Sequence, residues 1–406
     1  MLIDLSPLRN NKEYRYLYLG QFISFFGTML SFVALPYQVY EITKSTFAVG
    51  MLSIVQLVPL LLTAFVGGAL SDIMDRKTLL IRSEIGLAIA CAFLLGNALL
   101  PNPHLWFIYV MAALMSALNG LHRPSLDALM PRLVKHHEIQ AASALSMFKT
   151  VTGMVGGPAL AGLCISHFGL AWTYALDLCT FVFSIGALFF LSPKPPQGEK
   201  ERPSLKSIGE ALRYAYSRQE LMGTYVIDFI AMVFAMPNAL FPAIAAALGG
   251  TKTLGWLYSA PALGAFIVTV FSGWTKNIRH HGAAVGISAS LWGLFIICFG
   301  FFYESIFLGL CFLCLAGAAD GLSGIFRTTI WNETIPDRIR GRMASLEMVS
   351  YMSGPLLGNA QAGFMSSMLG LHIAIILGGG LCVVGVIISL FLLPKFWRYI
   401  KHDYKS

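Results

Sequence analysis

Long apolar runs separated by short polar punctuation define this chain. The runs fall at about 16–40, 46–71, 78–100, 104–130, 140–167, 170–191, 221–248, 253–275, 282–303, 305–332, 342–369 and 371–394. A helix rises about 1.5 Å per residue, so about 20 apolar residues cross a hydrocarbon core of about 30 Å. Every run meets that length, which predicts twelve transmembrane helices in an all-α membrane protein. Between 46–71 and 78–100, Asp72, Asp75, Arg76 and Lys77 arrive within six residues. Irregular backbone is not tolerated in lipid, so charges this dense predict a tight hairpin at a membrane face. The one substantial break, 192–220, carries six Lys or Arg and four prolines. It reads as a solvated linker that turns into a short amphipathic helix through Leu205, Ile208 and Leu212 on the membrane surface.

Composition excludes the soluble alternatives. Of 406 residues, 56% are hydrophobic and 12% charged, with a mean hydropathy of +0.70. Soluble domains carry about 25% charged residues, so this chain has too little polar surface to coat a water-soluble enzyme. The net charge of +8 suggests nucleic acid until the charges are located. With the N-terminus inside, 23 of the 28 Lys and Arg fall on inside segments, and two, Lys44 and Lys252, fall outside. That bias puts both termini in the cytoplasm and the basic surface against anionic lipid, with no nucleic-acid site. All seven cysteines lie in apolar runs. Cys311 and Cys314 form a CxxC, but no second pair or nearby His completes a metal or redox site.

The two halves repeat. At an offset of 205 residues Gly50 matches Gly255, Gly68 matches Gly273 and Pro131 matches Pro336. Pro36 with Pro242, and Arg123 with Arg327, fall one residue off that register, and Gly157-Pro158 recurs as Gly354-Pro355. The expected domains are a six-helix bundle at 1–191, a cytoplasmic linker with an amphipathic helix at 192–220, a second six-helix bundle at 221–394 and a basic cytoplasmic tail at 395–406. Two parallel six-span repeats predict a transporter with its binding site between them at mid-membrane.

No GxxxxGK[ST], HExxH or GxSxG motif occurs, so no enzyme, cofactor or metal is expected, and an ion gradient is the expected energy source. Ionisable groups inside a membrane are costly and are functional candidates by default. Arg123 and Asp127, four apart, share a helical face. Either they neutralise each other, or Asp127 reaches the Arg76 hairpin while Arg123 points deeper. Asp320 and Arg327, seven apart, also share a face, and Asp228 sits about two turns into 221–248. A proton-coupled carrier needs a buried carboxyl that loads and unloads protons, and Asp320 and Asp228 are the leading candidates. A supporting role is expected for Asp177. Lys149 and Glu347, near cytoplasmic helix starts, are expected to snorkel or lock the inner gate. Gly153, Gly157 and Pro158 in 140–167 are either small-residue packing or a bend on which the halves rock. Phe25, Phe26, Tyr37, Tyr225, Phe229 and Tyr351 suit an aromatic ligand, and ordinary membrane packing accounts for them equally well.

These residues resemble the major facilitator superfamily over essentially the whole chain. Gly68-x-Leu70-Ser71-Asp72-x-x-x-Arg76-Lys77 is similar to the hallmark loop between helices 2 and 3, with Ile73 where a basic residue is usual and Asp75 where glycine is usual. The resemblance implies that Asp72 caps helix 11 and that Arg76 pairs with Asp127, so that Asp72, Arg76, Asp127, Gly153, Gly157 and Pro158 form the gating set. Gly273, Lys276 and Asn277 look like a worn second copy. Gly153 to Gly162 is similar to the helix-5 pattern of exporters and antiporters, with Ala161 replacing one glycine. Within the superfamily the chain resembles the enterobactin (siderophore) exporter group through Asn97-Ala-Leu-Leu-Pro101-x-Pro103, Leu240-Phe-Pro242-Ala and Gly255-Trp-Leu-Tyr-Ser-Ala. Macrolide efflux proteins share much of that pattern.

The resemblance implies a secondary active transporter with helices 1, 4, 7 and 10 lining its cavity. It would export a siderophore or similar amphiphilic molecule across a bacterial inner membrane by proton antiport and alternating access. The implied substrate-binding residues are Arg123, Arg327, Asp320, Tyr225 and Phe229, and Asp228 and Asp320 would carry the proton. Its partners would be the small molecule, protons and the lipid bilayer, and the chain would act as a monomer. Two rivals stay open: a multidrug or macrolide antiporter, and a membrane receptor or scaffold that transports nothing.

Overall fold

The computed structural model describes residues 4–193, 209 and 213–400, apart from the side chains of 65–73, 337, 338, 340–342 and 344–346. The expected surface helix through Leu205, Ile208 and Leu212 lies outside the described residues, as do 401–406 and the side chain of Asp72. Regular structure among the described residues is all helical. In order the helices are α1 (Ser6–Asn10), α2 (Lys12–Thr43), α3 (Thr46–Ile73), α4 (Arg76–Ala98), α5 (Leu105–Leu129), α6 (Ile139–Phe189), α7 (Gln219–Phe234), α8 (Phe241–Leu248), α9 (Thr251–Val270), α10 (His281–Phe302), α11 (Ile306–Thr334), α12 (Asp337–Leu369), α13 (Leu371–Leu392) and α14 (Pro394–Trp397), with short 3-10 turns between some of them. Ten helical stretches among the described residues are long and apolar enough to cross a membrane.

Local chemistry sets the helix ends. The Asn11 side chain accepts from the Tyr14 amide at 3.0 Å and starts α2. Lys44 takes a left-handed φ of 50° and stops it. Asp75, the departure from the hallmark loop, is the N-cap of α4: its Oδ1 accepts from the Thr78 amide at 2.8 Å and from the Thr78 hydroxyl at 3.0 Å. A carboxylate there satisfies amides that have no partner within the helix and meets the positive end of the helix dipole.

The long α6 is two helices. Gly169, at φ 84° and ψ 176°, breaks it into 139–168 and 170–189, and α2 packs against both. Tyr14 and Tyr18 donate to the carbonyls of Ala142 and Leu145 at 3.2 Å, and farther along α2 Phe25 and Met29 fill the space beside Gly153 and Gly157. These contacts rise together in number, so α2 and the first segment are parallel. Gln21 meets Ser184, Ser31 meets Asp177 and Gln38 meets Tyr174, so α2 and the second segment are antiparallel. Gly169 is therefore a hairpin between two antiparallel crossings.

A second break was not legible in the expected run 221–248. The chain leaves the helix at Ala235 (φ −114°, ψ 35°), passes Pro237 and resumes through a 3-10 turn at Asn238–Leu240. The Asn359 side chain of α12 accepts from the Ala239 amide at 3.2 Å, satisfying backbone that the break exposes. Such interruptions persist in membrane helices only where protein groups restore the lost hydrogen bonds.

The chain forms two compact units. Unit 1 comprises Met1–Lys44, Ile54–Arg202 and Gly249–Ser259; unit 2 comprises Ser45–Ser53, Pro203–Leu248 and Ala260–Ser406. The start of α3 therefore belongs to unit 2 and the start of α9 to unit 1. Lipid supplies little hydrophobic drive for helix association, so close backbone approach at small residues must hold these bundles. The repeated glycines supply it. In unit 1, a Cβ on Gly255 would lie 3.2 Å from the Cα atoms of Ala159 and Gly162. In unit 2, a Cβ on Gly50 would lie 3.1 Å from the Ala360 carbonyl and 3.2 Å from the Gly363 Cα. The two copies of the repeat thus make the same kind of helix crossing, one in each unit.

Candidate functional site

In unit 2, α7 and α11 bring three expected residues together. The Arg327 guanidinium pairs with the Asp228 carboxylate through Nη1, and Nη2 lies 3.6 Å from Asp320 Oδ1. The side chains of Arg327 and Asp228 are 11% and 13% exposed, whereas Asp320 is 36% exposed. Asp320 and Arg327 sit two turns apart on α11, and Asp228 faces them from α7. Glu347 of α12, expected near the inner gate, stands within electrostatic reach of Arg327 and Asp228. Three carboxyls thus share one arginine. Burying several charges with one counter-ion is unfavourable, and a proton on one carboxyl relieves the imbalance.

Donors and aromatic rings border this cluster. The Tyr225 ring stacks on Trp331 at 5.5 Å between centroids, and Trp331 Nε1 donates to the Thr224 hydroxyl at 2.8 Å. The Tyr225 hydroxyl and Arg327 Nε are buried without a hydrogen-bond partner among the described residues. Phe229, one residue after Asp228, is 41% exposed.

Unit 1 carries the opposite balance. Arg123 Nε lies 3.9 Å from Asp127 Oδ2 across one turn of α5, with the side chains 54% and 67% exposed. Lys149 of α6 is within electrostatic reach of both, and its Nζ lies 5.9 Å over the Phe25 ring. An open ion pair in the last two turns of an apolar helix faces water rather than lipid, which would not tolerate it. Two cations to one anion make this face suited to an anionic ligand. Arg76 Nη1 donates to the Ala128 carbonyl at 2.9 Å, at the C-terminal end of α5 and one residue from Asp127. A cation there meets the negative end of the helix dipole.

Gly153 and Gly157 lie against Phe25 and Met29 of α2, with no room for side chains, and Pro158 sits beside Gly255 of α9. Asp177 is fully buried, with Ser31, Cys91 and Thr180 hydrogen-bonded to its carboxylate, which fits a supporting role. The sequence reading missed the nearness of Glu347 to Arg327 and Asp228. It also passed over Glu84 with His122, which meet in unit 1 across 38 residues of sequence. Helical spacing could have signalled neither, because each contact joins different helices.

Bundles of membrane-length helices with buried charge clusters define a multi-pass membrane transporter. The model of the transmembrane secretion effector family matches residues 3–401. The enterobactin exporters EntS of Citrobacter koseri and Shigella boydii are each 29% identical over 394 residues, covering 96% of this chain and 94% of theirs. A POT family transporter in complex with 5-aminolevulinic acid has a similar fold, with a TM-score of 0.74 at 13% identity over 95% of this chain and 97% of that one. The nucleoside transporter NupG has a TM-score of 0.73 at 13% identity, over 95% and 99%. The chain belongs to the transmembrane secretion effector family of the major facilitator superfamily. It is a membrane transporter that exports small molecules, and its relatives are transporters rather than enzymes.

Proposed function

We propose that this protein exports a siderophore-like, amphiphilic anion across the bacterial inner membrane by proton antiport and alternating access. The observation that carries the proposal is Arg327 held between Asp228 and Asp320, with a spare buried N–H on Nε. A proton arriving on Asp320, more exposed than Asp228, loosens its hold on Arg327. Arg327 then has charge to offer an anionic substrate, and substrate and proton compete for one arginine. That competition is the minimum chemistry of an antiporter. Tyr225 offers a hydroxyl, and Phe229 offers a ring to an aromatic substrate.

Arg123 and Lys149 supply the cationic face for the same substrate class. The similarity to enterobactin exporters favours a catecholate chelator. In this reading the protein is a monomer with twelve crossings and both termini in the cytoplasm. Its domains are 1–191, 192–220, 221–394 and 395–406. The two segments of α6, the run from α7 to α8, and α12 count toward the twelve. Asp72, Arg76 and Asp127 latch the cytoplasmic gate, and Gly153, Gly157 and Pro158 allow the bend.

Mass spectrometry of spent medium under iron starvation, with and without the gene, tests the substrate. Loss of an iron chelator from the medium on deletion supports the proposal. Unchanged chelator together with new sensitivity to unrelated hydrophobic drugs would assign the protein to multidrug efflux instead.

A further inference from the structure

Unit 1 holds a buried carboxyl that the reading above leaves unused. Glu84 of α4 is 0% exposed, and its Oε1 is met from three other helices. Gln21 of α2 donates to it from Nε2, Ser184 of the second α6 segment donates from Oγ at 3.0 Å, and His122 of α5 brings Nε2 to 3.2 Å. Glu84 Oε2 is buried with no hydrogen-bond partner among the described residues. The His122 side chain is 15% exposed and its neighbour Arg123 is 54% exposed. The imidazole thus touches a fully buried carboxyl while it is itself partly exposed, one residue from the open side chain of Arg123.

This cluster differs from ordinary polar packing in two respects. A fully buried carboxylate with one oxygen unsatisfied is costly, and taking up a proton removes most of that cost. Among the groups that touch Glu84, the Gln21 amide and the Ser184 hydroxyl only donate hydrogen bonds to it, whereas the His122 imidazole can both take up and hand on a proton. The charged groups nearest along α5, Arg123 and Asp127, pair with each other, with Lys149 of α6 beside them. On the second α6 segment, Asp177 is held by Ser31, Cys91 and Thr180. On α2, Tyr14 and Tyr18 donate to backbone carbonyls of α6. Residues 46–64 of α3 contain no ionisable side chain.

We infer that Glu84 and His122 form a proton-binding site in unit 1, with His122 passing the proton between the open face of α5 and the buried carboxyl. Loading adds one proton to the pair. The Nε2–H bond of the imidazolium breaks, an O–H bond forms on Glu84 and the imidazole is left neutral. The pair goes from one negative charge to none. Its place in transport rests on the antiport reading above; its existence does not.

A substrate-free measurement tests it: infrared pH-difference spectra of the full chain in lipid nanodiscs, between about pH 5 and pH 8. The expected result is a pH-dependent carboxylic acid C=O band that Glu84→Gln removes. His122→Gln should change the pH dependence of that band, and Asp228→Asn and Asp320→Asn should leave it in place. Spectra in which Glu84→Gln removes no such band overturn the site. A band whose pH dependence survives His122→Gln intact overturns the relay. If Glu84→Gln does not fold, Glu84→Asp takes its place: the band should shift in frequency, and a band left unshifted overturns the site. Proteoliposomes that move enterobactin without counter-moving protons would defeat the antiport reading and leave the Glu84 band to be judged on its own spectrum.

Discussion

Asp228→Asn is the most informative substitution in unit 2, because Arg327 has two acidic neighbours in unequal surroundings. At the 3.6 Å that separates Arg327 from Asp320, two unit charges interact by about 4–5 kcal/mol at an effective dielectric near 20. Asp320 is 36% exposed, and solvent screening brings the pair down to about 1 kcal/mol. Asp228 is closer and only 13% exposed, so screening relieves it little. Removing its charge takes the nearer counter-ion from a buried guanidinium and leaves Asp320 at 3.6 Å as its partner, which costs at most about 3–5 kcal/mol. The Asn carbonyl returns about 1 kcal/mol as a neutral hydrogen bond. Asp228→Asn is therefore expected to destabilise by up to about 2–4 kcal/mol, and Asp320→Asn by no more than about 1 kcal/mol. Thermal unfolding of the purified protein in detergent reads the difference. Asp228→Asn should lower the midpoint by several degrees more than Asp320→Asn, and adding Arg327→Met to Asp228→Asn should recover part of the loss. Equal losses for the two single variants would refute Asp228 as the main partner of Arg327.

Other substitutions probe the rest of the account. Arg123→Ala should weaken binding of an anionic substrate about tenfold, the effect of about 1.4 kcal/mol; unchanged transport kinetics would remove Arg123 from the ligand face. Gly255→Leu forces a side chain against the backbone of α6 in unit 1 and should cost about 1–3 kcal/mol, and Gly50→Leu should do the same in unit 2. A stable, active Gly255→Leu protein would show that the crossing can separate freely. Asp75→Ala should lose the cap of α4, worth about 1 kcal/mol, visible as faster amide exchange confined to its first turn.

Much of the architecture was legible because lipid writes it into the chain. Each span must be long, apolar and helical, and polar punctuation is confined to the faces. The glycine-rich pattern after Gly153 and the offset that pairs Gly50 with Gly255 likewise carried into the packing. Contacts between helices were less legible. Arg327 and Asp320 share a face by spacing alone, but nothing in the spacing says that Asp228 on α7 meets them, or that Glu347 on α12 is near. The break at Ala235 was missed because the run reads as continuously apolar, and its cost is offset by Asn359, far away in sequence. Asp75 read as a departure from a motif, whereas its cap on Thr78 shows a local reason for an acid at that position.

Enterobactin flux in proteoliposomes, with lumenal pH recorded at the same time, tests the central claim most directly. The account predicts that wild-type protein moves enterobactin in the direction opposite to protons that run down an imposed gradient. It also predicts that Asp228→Asn and Asp320→Asn abolish or uncouple that exchange while the proteins remain folded. Substrate flux that is indifferent to the proton gradient, or variants as coupled as the wild type, would contradict it.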